Sequence, residues 1–204
     1  MRLVLDVEAN GLNEVSIDGN KIIKEADTIH CAVVYNIDTG TIHKFTPENI
    51  VTLPSLLNKA TIIIGHNIFF DVSAVRKILG DFKCSKYYDT LIISKLMYPD
   101  RDDHPLGGNS LECWGKFLNN PKLDYQGGWE KYSDEMLIYC EQDVMLTVNI
   151  YNYQLTNCKV PEQVIKFEHL VSKILSEQTH NGFGYNAISG DKLIGELLIE
   201  KANI

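Results

Sequence analysis

Apolar residues run through Leu3-Val4-Leu5 and then alternate with acids in Asp6-Val7-Glu8-Ala9 before stopping at Asn10-Gly11. That pattern predicts a β-strand, and residues two apart on a strand share a face. Asp6 and Glu8 therefore project together, opposite Leu5 and Val7. A polar span from Asn13 to Asp27 follows, read as a loop or loose hairpin. Thr28–Tyr35 predicts a second strong strand. Asp38-Thr39-Gly40 supplies a turn, and Thr41–Phe45 returns as a third strand, so the first half opens with three largely antiparallel strands. A short helix is predicted over 54–60, with Pro54 in its first turn. The β-branched run Thr61-Ile62-Ile63-Ile64 predicts a buried strand.

Helical periodicity dominates the remainder. A helix is expected from about Phe69 to Leu79, closed near Gly80, with Asp71 in its first turn. Asp89-Thr90 caps a helix over 91–98 that Pro99 ends. Asp100 to Asn109 reads as a polar loop. Ser110–Leu118 is an amphipathic helix with Leu111, Trp114 and Leu118 on one face, and 119–128 is again loop. A long helix is predicted over 133–153 with Ser133 as its N-cap. Tyr139 and Asp143, four apart, share one of its faces, while Leu137, Val144 and Val148 turn to the core. After Pro161 an amphipathic helix carries Val164, Phe167, Leu170, Val171, Ile174 and Leu175. The turn Asn181-Gly182-Phe183-Gly184 leads to a last helix from about Ser189.

Composition narrows the classes. A chain of 204 residues with 45% hydrophobic and 23% charged residues is that of an ordinary globular domain. No run approaches the roughly 18 apolar residues of a membrane span, and Asp6 interrupts any signal-peptide pattern, so a cytoplasmic protein without a membrane partner is expected. Five cysteines without CxxC spacing indicate neither a zinc site nor a disulfide framework. A net charge of −8 argues against broad electrostatic binding of duplex nucleic acid, yet leaves room for a site that grips a few nucleotides.

Two acids on one buried strand face repel each other and lose hydration, and oxygen-preferring divalent cations are the natural compensation. The same pattern fits an exposed edge strand with solvated acids. Asp71 at a helix start is placed as a metal ligand at a sheet edge would be, or simply complements the helix dipole. Tyr139 above Asp143 fits a ligand beside a water-orienting hydroxyl, or an exposed pair on a helix. The order of the three stretches, more than any one of them, carries the functional signal.

In that order the chain resembles the DEDDy 3′–5′ exonucleases, and more closely the N-terminal proofreading domain of phage-type family A (Pol I-like) DNA polymerases. The three motifs stand as LDVEANGL, GHNIFFDVSAV and YCEQDVMLT, and YDTLIISKL and SLECWGKFL resemble the segments between the last two. The similarity covers most of residues 1–155. It implies an α/β, ribonuclease H-like fold, with a mixed central sheet flanked by helices. It maps the catalytic positions onto Asp6, Glu8, Asp71, Tyr139 and Asp143. The four carboxylates would bind two divalent metal ions, Mg2+ or Mn2+, and Tyr139 would orient water. Ala9, Leu12, Asn67 and Phe70 match positions that hold the terminal nucleotide, although the family often has Tyr where this chain has Phe70. Asp89 is expected to act first as a helix cap, and His66 as a turn residue.

The resemblance thus implies metal-dependent hydrolysis at single-stranded or frayed DNA 3′ ends. Alternatives are a free-standing exoribonuclease of the same superfamily and a non-catalytic module that binds cations or a protein. Residues 156–204 are expected to form a helical connector towards a polymerase domain absent from this chain, because Leu193, Ile194, Leu197 and Leu198 make an apolar stripe that needs a partner surface. A processivity partner of the complete protein is a further possibility of that family.

Overall fold

The computed structural model describes all of the chain except residues 11–13, 18–19, 24–25, 85, 100–106, 182–183, 185 and 203–204; for 14–17, 20–23 and 180 only the backbone is described. The strands are β1 (Arg2–Ala9), β2 (Glu14–Ile17), β3 (Asn20–Ile23), β4 (Ile29–Asn36), β5 (Thr41–Phe45), β6 (Ile62–Gly65) and β7 (Tyr87–Asp89). Helices α1 (Leu53–Leu57) and α2 (Ile68–Leu79) flank β6. After β7 come α3 (Thr90–Met97), α4 (Leu111–Phe117), α5 (Asp134–Asn157), α6 (Glu162–Asn181) and α7 (Ala187–Ala202).

The five-stranded sheet has the order β5-β4-β1-β6-β7, and β2-β3 form a separate hairpin. β1 lies at the centre, antiparallel to β4 and parallel to β6, so the expected mixed sheet is found. The three-residue strand β7, parallel to β6, was not expected from the sequence: Tyr87-Tyr88-Asp89 is too short to show a period.

The two faces of β1 enter different cores. Leu3, Leu5, Val7 and Ala9 pack with Leu53 and Leu57 of α1 and with Ile68, Val72 and Val75 of α2. Val4 joins Cys31, Val33 and Ile64 under Met136, Cys140, Val144 and Val148 of α5. α2 and α5 therefore cover opposite faces, and Asp6 and Glu8, alternating with Leu5 and Val7, lie on the α5 side. A smaller core joins Trp114 of α4 to Leu146 and Ile150 of α5.

Two local devices aim the chain at the sheet's carboxyl edge. The register of β1 against β4 slips between Glu8 and Ala9, which ends regular pairing just beyond the two acids. Gly65 lets β6 turn sharply into α2: a Cβ there would lie 2.5 Å from Ile68 Cδ1 and 3.0 Å from Ile68 Cβ. No helix among the described residues is long and apolar enough to cross a membrane.

α6 packs on α2, α3 and β7, but not with its apolar stripe. Its half-buried positions are Ile165, Glu168, His169, Val171, Ser172 and Ser176. Val164, Phe167, Leu170, Ile174 and Leu175 are exposed, as are Leu193, Ile194, Leu197 and Leu198 of α7. Polar pairs make the junction: Ser176 Oγ lies 3.0 Å from Ser73 Oγ of α2.

Candidate active site

The four acids reach the site from three elements. Asp6 and Glu8 come from the α5 face of β1 and are half-buried. Asp71 stands in the first turn of α2 and is 4% exposed, so its charge is placed where helix N–H groups favour it. β6 pairs with β1 only as far as Val4. Beyond that point the Val7 N–H donates to Asp71 Oδ1 at 3.0 Å. Asp71 thus fills a gap in the sheet with one oxygen while its α2 helix covers the opposite face from α5. Asp143 lies on α5, buried, one turn beyond Tyr139.

Burial, and for three of the acids repulsion from a neighbouring carboxylate, opposes ionisation at the site. Burial, then the Asp143 charge, pushes Asp6 above the ordinary carboxylate range. Burial raises Glu8 further, followed by repulsion from Asp6 and smaller contributions from Cys31, Asp143 and Asp71. Asp71 is raised by burial and then by Asp6, against the Val7 hydrogen bond that lowers it. Asp143 is raised by burial, although Lys122 and the Tyr139 hydroxyl pull it down. Four carboxylates that each resist ionisation are matched to an ion of high positive charge.

The donor set fits an oxygen-preferring divalent cation. Carboxylate oxygens of Asp6 and Glu8 lie within 4.8 Å of one another and of Cys140 Sγ. Asp143 Oδ1 is buried and has no hydrogen-bond partner among the described residues. Cys140 is a poorer candidate: its thiol donates to the Asp6 carbonyl oxygen at 3.4 Å, and burial holds its pKa well above the thiol range, so it stays protonated. Metal ligation needs the thiolate.

Tyr139 stands beside Asp143. Burial raises its phenol pKa, Lys122 opposes, and the charges of Asp143 and Glu8 add to the rise, so the hydroxyl keeps its proton at neutral pH. Its ring meets Tyr125 and Trp129 at centroid distances of 5.5 and 5.9 Å. An open pocket of about 760 Å³ runs away from Tyr139 past Leu123, Tyr125, Tyr132 and Ile138.

The residues expected to hold a terminal nucleotide fall at the start of α2 or on β1. Asn67 is exposed and caps α2 in the left-handed region, φ 68°. The buried Asp89 carboxylate secures that corner. It accepts the N–H groups of Asn67 (2.9 Å), Ile68 (3.1 Å) and Leu91 (2.9 Å), so Asp89 caps α3 as expected and clamps the β6–α2 turn as well. Phe70 is half-buried, one residue before Asp71. The Ala9 side chain is in the core, so what Ala9 offers outward is backbone. Leu12 lies outside the described residues. His66 Nδ1 is 2.9 Å from Thr90 Oγ1, and burial lowers its pKa to about 4, which keeps the ring neutral in a structural role.

Sequence reasoning missed Lys122. Its ammonium is 2.7 Å from Asp143 Oδ2 and 4.7 Å from the centroid of the Tyr139 ring. A single lysine in an irregular loop carries no periodic or motif signal, so only the fold reveals it.

No protein-family model matches the chain. Among curated proteins it is similar to the DNA-directed DNA polymerase of Enterobacteria phage T3, 24% identical over an alignment 261 positions long, gaps included, that takes in 98% of this chain and 35% of the phage protein. The chain spans about a third of the length of the curated relatives it matches. Among solved structures it is similar to Brucella melitensis NrnC, with a TM-score of 0.61 and 19% identity over 89% of this chain and 85% of that one. It is also similar to Trypanosoma brucei RNase D in complex with RNA U12, with a TM-score of 0.51 and 17% identity over 78% and 57%. The fold is that of the ribonuclease H-like exonucleases. With three acidic motifs in order on that fold, the chain is similar to the DEDDy-type 3′–5′ exonucleases.

Proposed function

We propose that this chain removes nucleotides from single-stranded or frayed DNA 3′ ends, as a metal-dependent proofreading exonuclease. The observation that carries the reading is the convergence of Asp6, Glu8, Asp71 and Asp143 from three elements onto one site where each is raised by burial, three of them chiefly also by another of the four. A solved NrnC structure with bound Mg2+, on the same fold, supports the choice of cation. Bound divalent ions, two in this reading, would supply Lewis-acid activation of water and charge stabilisation at the phosphate. Asp6, Glu8, Asp71 and Asp143 would hold them. Tyr139, kept protonated, donates its O–H towards the attacking water, and Glu8 accepts from it. Asn67, Phe70 and Leu12 hold the terminal nucleotide, and the aromatic-sided pocket beyond Tyr139 suits the strand that leads to it.

Preference for DNA rests on the likeness to the phage polymerase over nearly the whole chain. RNA is the second reading, favoured by the RNase D neighbour solved with RNA. The polymerase reading also gives the exposed apolar faces of α6 and α7 an occupant: residues 156–204 would lead to, and pack on, a polymerase domain of the parent protein, which could in turn engage a processivity partner. One assay tests the main reading. Oligonucleotides labelled at the 5′ end, one DNA and one RNA, are incubated with the protein and magnesium or EDTA. Stepwise shortening of the DNA with magnesium alone is expected. Faster shortening of RNA selects the second reading, and no shortening of either defeats both.

A further inference from the structure

The unexpected member of the site is a cation belonging to the chain itself. Lys122 and Asp143 divide the carboxylate between two tasks: Oδ2 meets the ammonium at 2.7 Å, while Oδ1 is buried with no hydrogen-bond partner among the described residues. The same ammonium lies over the Tyr139 ring at 4.7 Å, within the range of a cation–π contact. One side chain therefore touches both residues that α5 gives to the site.

The loop that carries it is held from both sides. Asn119 takes the left-handed conformation, φ 52°, and the Asn120 N–H donates to the Gly115 carbonyl at 2.8 Å. Gly115 is what allows the approach: a Cβ there would lie 2.8 Å from Asn120 O and 3.1 Å from Lys122 N. From α5, Gln142 Nε2 donates to the Pro121 carbonyl at 2.8 Å. The Lys122 side chain is 23% exposed, unlike a solvated surface lysine. A clamped loop, a largely buried stem and two contacts at the head are the marks of a placed group.

We infer that Lys122 is a positioning residue of this exonuclease: it locks Asp143 by Oδ2 so that Oδ1 is left for the cation, and it holds the Tyr139 ring in place one turn before Asp143. The inference rests on the exonuclease reading of the site. Without the ammonium, the Asp143 carboxylate is free to rotate about its terminal torsion and the Tyr139 ring loses its cap. Small displacements of a ligand or a water-orienting group cost large factors in rate.

The test uses the full chain with Lys122→Met, which keeps the stem, and Lys122→Arg, which keeps a cation. Rates on a DNA oligonucleotide at saturating magnesium are measured beside direct Mn2+ binding without nucleic acid, read by calorimetry. Lys122→Met is expected to lower kcat about 10- to 100-fold with little change in KM. Lys122→Arg should restore about tenfold of that loss, and Mn2+ affinity should not rise. A kcat within about threefold of wild type, or tighter Mn2+ binding on removing the lysine, overturns the inference, because Lys122 would then be only a stand-in for the metal. If Lys122→Met melts below the assay temperature, Lys122→Gln is judged by the same criteria; if both melt, Lys122 serves stability and the inference fails. A wild-type protein without metal-dependent activity would instead defeat the exonuclease reading, and the Mn2+ arm would still report on Lys122.

Discussion

His169 of α6 accepts the backbone N–H of Asp89 at 2.7 Å through Nε2. The other His169 nitrogen lies 2.8 Å from the Ile165 carbonyl, one turn earlier on the helix. Since the Asp89 carboxylate holds the N–H groups of Asn67 and Ile68, α6 supports the turn that leads through Asn67 and Phe70 to Asp71. A helix beyond residue 155 is thus tied to the carboxyl edge of the sheet, while its apolar stripe faces away.

Removing α7 and removing α6 should have different consequences. No described residue of α7 is buried, so deleting 182–204 is expected to leave thermal stability and exonuclease rate close to those of the full chain. Deleting 161–204 takes away the partner of the Asp89 N–H and should lower both. His169→Ala alone leaves a part-buried donor unpaired, at a cost of roughly 1–3 kcal/mol. Melting curves of the three variants decide this: equal stability of the two truncations would mean that α6 is as dispensable as α7.

Asp71 does two jobs, and a pair of substitutions separates them. Asp71→Asn keeps an oxygen for the Val7 N–H but loses the charge; it should fold at near wild-type stability and lose several orders of magnitude in rate. Asp71→Ala should lose the same activity and, in addition, roughly 1–3 kcal/mol of stability from the orphaned N–H. Retention of more than about a tenth of wild-type activity in either variant would remove Asp71 from the site.

Much of this arrangement was legible in the sequence, for physical reasons that differ by element. The acids at i and i+2 of β1, the β4–β5 hairpin and the caps Asp89 and Ser133 are local signals, and each appears where expected. β7 was missed because three residues cannot display a period. The outward stripe of α6 could not be foreseen either: amphipathicity predicts an apolar face, and the choice of Ile165, His169 and Ser176 as the packed side depends on Asp89 and Ser73, far away in sequence. Lys122 depends on Gly115 and Gln142 closing a loop around it, and no stretch of sequence states that by itself.

Tyr139→Phe should be milder than Asp143→Ala. The phenol carries no metal, and groups that orient or move a proton are worth about 10²- to 10⁴-fold. In the proposed mechanism, loss of Asp143 removes a ligand; it also leaves the Lys122 ammonium without its carboxylate, a partly buried charge with no compensation. Rates of the two variants at saturating magnesium check the order, and a slower Tyr139→Phe would reverse the roles.

The raised acids also set a pH dependence. Asp6, Glu8, Asp71 and Asp143 all hold protons in the folded, metal-free chain at pH values where the unfolded chain has released them. Above the ordinary carboxylate pKa, about 4, the folded state therefore binds more protons than the unfolded state, and stability falls as pH rises. This is the opposite of the acid-labile behaviour of salt-bridged carboxylates. Metal-free protein should melt at a lower temperature at pH 8 than at pH 6. A divalent cation must displace those protons, so its binding releases them and its stabilising effect grows with pH. Calorimetric titration with Mn2+ in two buffers of different ionisation enthalpy measures the release. At pH 7 a net release of protons is expected; binding that releases none would mean that the acids are already ionised and that their mutual burial has been misjudged.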